Sequence, residues 1–146
     1  MKKILIIDDE ESFLGIIQIA LEQYGYECLG APSGIDGYNL ALKYFPDIVL
    51  CDVFMSGMNG FETLNAFRKN EELALIPFIF LTAHSDPSTL RYGMELGADD
   101  FLSKPFNPRE VVSAVEARLN RHQILVHQQV TEPSNVGKCS VRKCYC

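Results

Sequence analysis

The chain has 146 residues, of which 47% are hydrophobic and 22% charged, and this is the size and composition of one folded domain. Its net charge is −6, and the first 122 residues alone hold 10 basic and 18 acidic residues, so a phosphate backbone would repel them and direct nucleic-acid binding is not expected. No apolar run reaches the roughly 20 residues of a membrane span, and the first apolar stretch stops at Asp8, which predicts a cytoplasmic protein without a membrane contact.

Five apolar segments predict the strands of one sheet. Three of them are continuously apolar, which is typical of parallel strands covered on both faces, and the other two are weaker. In chain order the segments are 4–7, 27–30, 48–51, 78–81 and 100–103, of which the second and the fifth are the weaker pair.

Helical patterns fill the gaps between these segments. From Phe13 to Tyr24, apolar residues that include Ile16 recur at helical spacing and predict one apolar face. Capping residues predict where the later helices start, two of them as reciprocal pairs with an acidic residue three positions on; these residues are Ser33, Asn59, Asp86 and Asn107. Strands that alternate with helices predict a doubly wound α/β domain with five parallel strands and five helices.

The pattern changes near Gln123, so we expect a domain over residues 1–122 and a flexible tail or linker over residues 123–146. The segment 124–126 is apolar and is expected to prolong the last helix by a turn or two. Cys139, Cys144 and Cys146 suggest a zinc site or a lipidated end, but the spacing completes neither pattern, and we assign these cysteines no function.

Polar residues follow the predicted strands where chemistry is expected. Asp8 and Asp9 follow the first strand, Asp52 the third, Thr82 the fourth and Lys104 the fifth. Sites in open α/β sheets form outside the carboxyl ends of the strands, where the strand order reverses. With the strand order 2-1-3-4-5, the three aspartates would converge in one crevice beside the other two residues.

Three neighbouring carboxylates repel one another unless a cation lies between them, and oxygen ligands of this kind suit Mg²⁺. Lys104 and Thr82 could then bind an anion, and an aspartate could act as a nucleophile toward phosphorus. Taken singly, Asp8 and Asp9 could be helix-capping acids, Asp52 could open a turn, and Lys104 could lie in a solvated loop. Their shared position at strand ends favours a functional site.

These residues resemble the receiver domain of two-component response regulators, and in particular the chemotaxis-regulator type. The resemblance covers residues 3–122 and rests on segments 6–10 (IIDDE), 52–60 (DVFMSGMNG), 81–83 (LTA) and 97–106 (GADDFLSKPF). It implies a flavodoxin-like sheet with the strand order 2-1-3-4-5, for which the chemotaxis regulator of this family is a known example.

By resemblance, Asp52 is the phosphoacceptor, which takes a phosphoryl group from a phosphohistidine. The resemblance also implies that Asp9, Asp52 and the backbone carbonyl of Phe54 hold Mg²⁺, while Asp8 acts mainly through a water on the metal.

The remaining site residues have implied roles in binding and switching. Lys104 would pair with the phosphoryl group. Thr82 and Phe101 would form the switch pair, in which the hydroxyl moves to the phosphate and the ring turns inward. Phe101 stands where the family more often has tyrosine.

The implied function is a phosphorylation switch, not an enzyme beyond self-catalysed phosphoryl transfer and slow autodephosphorylation. Its expected partners are a sensor histidine kinase or phosphotransfer protein and a downstream protein that reads the surface of the fourth helix, fifth strand and fifth helix. We expect a monomer or a phosphorylation-dependent homodimer, with no output domain in this chain. The alternatives are the receiver half of a longer response regulator and, less favoured because Asp8 and Asp9 are adjacent, a phosphotransferase or phosphatase that uses an aspartyl phosphate.

Overall fold

The structure, a computed structural model, describes residues 2–83, 86–104 and 107–131, and for residues 121–131 it describes the helical backbone alone. Strands and helices alternate along the chain. The strands are β1 Lys3–Ile7, β2 Glu27–Ala31, β3 Ile48–Asp52, β4 Phe78–Thr82 and β5 Asp100–Ser103. The helices are α1 Glu11–Glu22, α2 Gly34–Tyr44, α3 Gly60–Lys69, α4 Pro87–Glu95 and α5 Pro108–Thr131. Each strand agrees with its predicted segment to within one residue at either end.

The strands form one parallel sheet in the order β2-β1-β3-β4-β5, which confirms the predicted fold. β1 lies beside β3, with Ile7 opposite Cys51, and β4 lies beside β5, with Thr82 opposite Ser103. The winding of the chain reverses between β1 and β3, so their carboxyl ends meet at the point where open α/β sheets form their sites.

Helices cover both faces of the sheet. Side chains alternate between the two faces along each strand, so each strand contributes to two cores. On one face, Leu5, Val49 and Phe80 belong to a core that also includes residues of α2 and α3. On the other face, Ile6 and Leu50 belong to a core built with α1 and α5. This double burial explains why β1, β3 and β4 are continuously apolar up to the point where each strand ends.

The predicted helix starts are held by side-chain caps. Glu62 N–H donates to Asn59 Oδ1 at 2.8 Å and Asn59 N–H donates to Glu62 Oε1 at 2.9 Å, so this pair is reciprocal as predicted. Asn107 and Glu110 make the same two bonds at 3.1 and 3.2 Å. Ser33 makes the predicted bond in one direction, since its hydroxyl accepts the N–H three residues on at 3.1 Å. Such a cap stabilises a helix by about 1 kcal/mol.

The apolar face of α1 is narrower than predicted. Leu14, Ile17 and Leu21 are its buried residues, whereas Ile16 is 62% exposed. Tyr24, predicted to extend the same face, follows the end of the helix and is 51% exposed. The prediction was wrong at these two positions because the sheet covers only one stripe of residues spaced by three and four, and Ile16 lies beside that stripe.

Helix α5 continues to Thr131, so segment 124–126 extends the helix as predicted, and the helix passes the expected boundary at residue 122. Cys139, Cys144 and Cys146 lie outside the described residues, and the division into 1–122 and 123–146 stays a prediction. Within the described part of the chain, no helix is both long enough and apolar enough to cross a membrane.

Candidate functional site

The carboxyl ends of β1 and β3 bring three aspartates together. Asp8 and Asp9 follow the last residue of β1, and Asp52 is the last residue of β3. One carboxylate oxygen from each of the three lies within 4.8 Å of the others. The convergence follows from the strand order, since β1 and β3 are neighbours and run in the same direction.

Asp8 is buried, and its two oxygens have different partners. Oδ2 accepts a hydrogen bond from Lys104 Nζ at 2.9 Å, and Oδ1 accepts the Glu10 N–H at 2.9 Å. Lys104 follows β5, and its own N–H donates to the carbonyl oxygen of Thr82 at 2.8 Å, which fixes its backbone against the end of β4. The ammonium also lies 3.8 Å from Asp52 Oδ2, so it sits between the two buried carboxylates.

Asp52 carries a carboxyl group that is harder to ionise than an ordinary one. The residue is 8% exposed. Burial, followed by the charge of Asp8, raises the pKa of Asp52 from 3.8 to about 6, although Lys104 acts in the opposite direction. The carboxyl group therefore still ionises near neutral pH, and its charge is poorly solvated.

The loop after β3 is tied to both Asp9 and the start of α3. Ser56 N–H donates to Asp9 Oδ2 at 3.3 Å, and Gly60 N–H donates to the carbonyl oxygen of Val53 at 2.7 Å. A Cβ atom at Gly60 would meet the carbonyl oxygen of Asp52 and, at 2.7 Å, the Cα of Val53. Only glycine allows α3 to begin this close to the end of β3.

The donor set fits a magnesium ion. The sequence predicts Mg²⁺ at this acidic pocket. The three carboxylates supply hard oxygen ligands, and a cation among them would offset the burial and the repulsion by Asp8 that raise the pKa of Asp52. The further ligand predicted from the sequence, the carbonyl oxygen of Phe54, lies in the loop two residues after Asp52 and stays a prediction.

Thr82 and Phe101 lie on the neighbouring strands β4 and β5 and on the same face of the sheet. Thr82 is fully buried, and Phe80, two residues before it on the same face, is paired in register with Phe101. The ring of Phe101 points inward: its centroid lies 5.1 Å from that of Phe80, and its Cε2 would lie 2.7 Å from a Cβ atom built on Gly93 of α4. Their roles as a switch pair stay a prediction.

One contact of the site has no counterpart among the predicted residues. Lys104 Nζ lies over the ring of Phe13, 4.2 Å from its centroid. Phe13 was assigned to the apolar face of α1. Its position in the first turn of that helix, four residues after Asp9, is a signal that could have placed it at this end of the sheet.

Comparison with known proteins identifies the family to which the chain belongs. The sequence model of the response regulator receiver domain matches residues 4–116.

Two curated relatives are transcriptional regulatory proteins. The phosphate regulon protein PhoB of Pseudomonas aeruginosa is 39% identical over 120 residues, or 82% of this chain and 52% of that protein. The alkaline phosphatase synthesis protein PhoP of Bacillus subtilis is 38% identical over 123 residues, or 84% of this chain and 50% of that protein. The chain thus spans about half the length of these relatives.

A solved structure gives the same result at the level of the fold. The chemotaxis protein CheY4 of Vibrio cholerae is similar with a TM-score of 0.77 and 32% sequence identity. The match covers 80% of this chain and 98% of that one.

Proposed function

Because the chain belongs to the response regulator receiver domain family, whose members are signalling switches and not enzymes in the ordinary sense, we propose that Asp52 is its phosphoacceptor. The donor is a phosphohistidine on a sensor histidine kinase or a phosphotransfer protein. The observation that carries this proposal is the position of Lys104 Nζ, 2.9 Å from Asp8 and 3.8 Å from Asp52, beside three clustered carboxylates.

The transfer step uses the ionised carboxylate of Asp52. One of its oxygens attacks phosphorus, the new O–P bond forms, and the N–P bond breaks with its electron pair remaining on the imidazole nitrogen of the donor. With a pKa of about 6, Asp52 is mostly ionised at pH 7 and above. The ammonium of Lys104 lies where a phosphoryl oxygen would develop negative charge, and the buried Asp8 keeps it there.

Asp9, Asp52 and the carbonyl of Phe54 would hold Mg²⁺, with Asp8 contributing mainly through a water. The ion would neutralise part of the charge shared by the carboxylates and the transferring group. The protein itself holds these oxygens close together. Lys104 and the Glu10 N–H donate hydrogen bonds to Asp8, and the Ser56 N–H donates one to Asp9.

We propose that Thr82 and Phe101 convert the modification into a change of surface. The Thr82 hydroxyl would move to a phosphoryl oxygen. The inward turn of the Phe101 ring predicted from the sequence would then be the fixing of a ring that already packs inward in this structure, which would hold α4 in one position on the sheet. Phe101 packs between Phe80 and Gly93 of α4, so its position is coupled to that helix. The surface of α4, β5 and α5 is then the part that a downstream protein reads, in a monomer or in a phosphorylation-dependent homodimer.

A second candidate is the regulation of an output module in a longer protein. It is favoured by the two curated relatives, which are transcriptional regulatory proteins about twice as long as the segment that they share with this chain. The chemistry at Asp52 is the same in both cases, so the two candidates differ only in what the switched surface contacts.

The proposal is tested by intact mass after incubation with acetyl phosphate. We expect one added phosphoryl group that requires both Mg²⁺ and Asp52, so that it is absent with chelator and absent in Asp52→Asn. The matched control is Asp36→Asn, an exposed aspartate in the first turn of α2, which should be modified like the wild type. A folded wild-type protein that gained no phosphoryl group, or an Asp52→Asn variant that still gained one, would contradict the proposal.

A further inference from the structure

The ammonium group of Lys104 has three close neighbours. Asp8 Oδ2 lies 2.9 Å away, Asp52 Oδ2 lies 3.8 Å away, and the centroid of the Phe13 ring lies 4.2 Å away on α1. The Lys104 side chain is 18% exposed, so few water molecules reach it. Two of the three neighbours are anions, and the third is the negative face of an aromatic ring.

The hydrogen bond to Asp8 alone does not fix the ammonium at the carboxylate of Asp52. Lysine is a compact charge on a flexible four-carbon stem, and only the contact to Asp8 is within hydrogen-bond distance. A cation within about 6 Å of a ring centroid is attracted by the ring quadrupole, and the attraction grows when water is excluded. The ring therefore adds a third attraction that holds the ammonium close to the two carboxylates.

The ring itself is held in place by the core. Phe13 is partly buried and packs against the cluster that α1 and α5 form on one face of the sheet. Because packing already fixes the ring of Phe13, the ring need not rearrange when the ammonium binds a ligand. A site whose groups need no rearrangement is preorganised.

We propose that Phe13 is a positioning residue for phosphoryl transfer, which holds the ammonium of Lys104 between Asp8 and Asp52 through its aromatic face. This inference rests on the proposed function, in which Lys104 pairs with the phosphoryl group. It assigns to α1 a part in the chemistry besides its packing on the sheet.

The first test replaces the ring by an aliphatic side chain. In Phe13→Leu the side chain stays apolar and the ring face is lost, so we expect the rate of phosphorylation by acetyl phosphate to fall about three- to tenfold, in line with a cation–π contact in a partly desolvated site. Phe13→Tyr keeps the face and should stay within about twofold of the wild type. The matched control is Phe45→Leu, an exposed phenylalanine between α2 and β3 at the opposite end of the sheet, which should not change the rate.

A fluorinated series separates the ring face from its packing. Phenylalanine with one, two or three ring fluorines keeps nearly the same shape while the negative face is progressively weakened, so the logarithm of the rate should fall with each fluorine. A rate that is unchanged across the series, or that falls only in Phe13→Leu, would overturn the proposal and leave Phe13 as a packing residue.

A spectroscopic readout keeps this inference separate from the proposed function. Protons on Lys104 Cε should be shifted upfield by the ring current of Phe13 in the unphosphorylated protein, and the shift should disappear in Phe13→Leu but remain in Phe45→Leu. A wild-type protein that took up no phosphoryl group would contradict the proposed function, and the methylene shift would still decide where Phe13 holds Lys104. Absence of the upfield shift in the wild type would overturn the placement itself.

Discussion

Replacing Asp52 by asparagine should stabilise the protein near neutral pH, because the folded state resists ionisation of this carboxyl group. Burial, followed by the charge of Asp8, raises the pKa of Asp52 from 3.8 to about 6. A difference of about two in pKa corresponds to about 3 kcal/mol, so the ionised group lowers the free energy of unfolding by about that amount. Asp52→Asn keeps the size of the side chain and removes the charge.

The effect must depend on pH in a fixed direction. Well below pH 3.8 the carboxyl group is protonated in both the folded and the unfolded chain, and the substitution should then change little. As pH rises from about 4 to about 6, the unfolded chain releases its proton while the folded protein retains it, so the wild type loses stability relative to Asp52→Asn. Above about pH 6 the difference is complete.

Urea denaturation in chelator at several pH values between 4 and 8 measures this difference directly. We expect Asp52→Asn to exceed the wild type by only about 0.5 kcal/mol at pH 4 and by about 2–3 kcal/mol at pH 7, the latter being roughly 10 °C in Tm. Asp36→Asn, the exposed control, should lose only about 0.3–0.5 kcal/mol across the range, through the dipole of α2. A gain that did not vary with pH, or an Asp52→Asn variant less stable than the wild type at pH 7, would refute the reasoning.

Three further substitutions, at the site, at the opposite end of the sheet and at α4, are tested by urea denaturation at pH 7. Lys104→Met should destabilise the fold by about 3 kcal/mol, because it leaves the buried carboxylate of Asp8 without its cation. Arg68→Lys should cost about 2 kcal/mol, since the guanidinium donates to three backbone carbonyls and one carboxylate, a fork that an ammonium cannot reproduce. Gly93→Ala should cost about 1–3 kcal/mol through collision with the Phe101 ring, and less in a Phe101→Ala background, as a double-mutant cycle would measure.

The controls for these substitutions lie on exposed or open positions of the same chain. Lys69→Met, next to Arg68 and exposed, should leave stability within about 0.5 kcal/mol of the wild type. Gly15→Ala on α1, where an added Cβ meets nothing within 4 Å, should stabilise the helix by about 0.5–1 kcal/mol. If the free energy of unfolding changed equally at Gly15 and Gly93, the packing of Gly93 on Phe101 would contribute nothing specific. Equal changes at Lys69 and Lys104 would show the same for the bond between Lys104 and Asp8.

The strand ends of the site could be predicted from the sequence because local patterns determine them. β3 is apolar until Asp52, and β1 is apolar until Asp8, so the positions of the aspartates follow from where burial stops. The strand order is a tertiary property that the apolar pattern alone leaves open, and it entered through the resemblance. Once that order is given, the convergence of the three carboxylates follows from the geometry of parallel strands.

The contacts that long side chains make could not be predicted from the sequence. Helical spacing places Phe13 and Ile16 on one apolar face, yet Phe13 packs on the core and contacts Lys104, whereas Ile16 is 62% exposed. Which of two neighbouring apolar residues reaches the sheet depends on the rotation of α1 about its axis, and tertiary packing sets that rotation. The partner of Phe13 lies at the end of β5, far along the chain, so no local signal connects them.

The crowding of charge at Asp52 lies close to the residues that we propose as the switch. A phosphoryl group on Asp52 would add negative charge where the carboxyl group already ionises with difficulty, so the site then depends more strongly on Lys104 and on a divalent cation. The backbone of Lys104 cannot shift alone, because its N–H is bonded to the carbonyl of Thr82 at 2.8 Å. Thr82 lies on the face of the sheet on which Phe101 packs beneath Gly93 of α4. The ionised carboxylate of Asp52 lowers the free energy of unfolding, and it lies close to the residues that pack between the sheet and α4. A cation or modification that offsets this cost would therefore act near that helix.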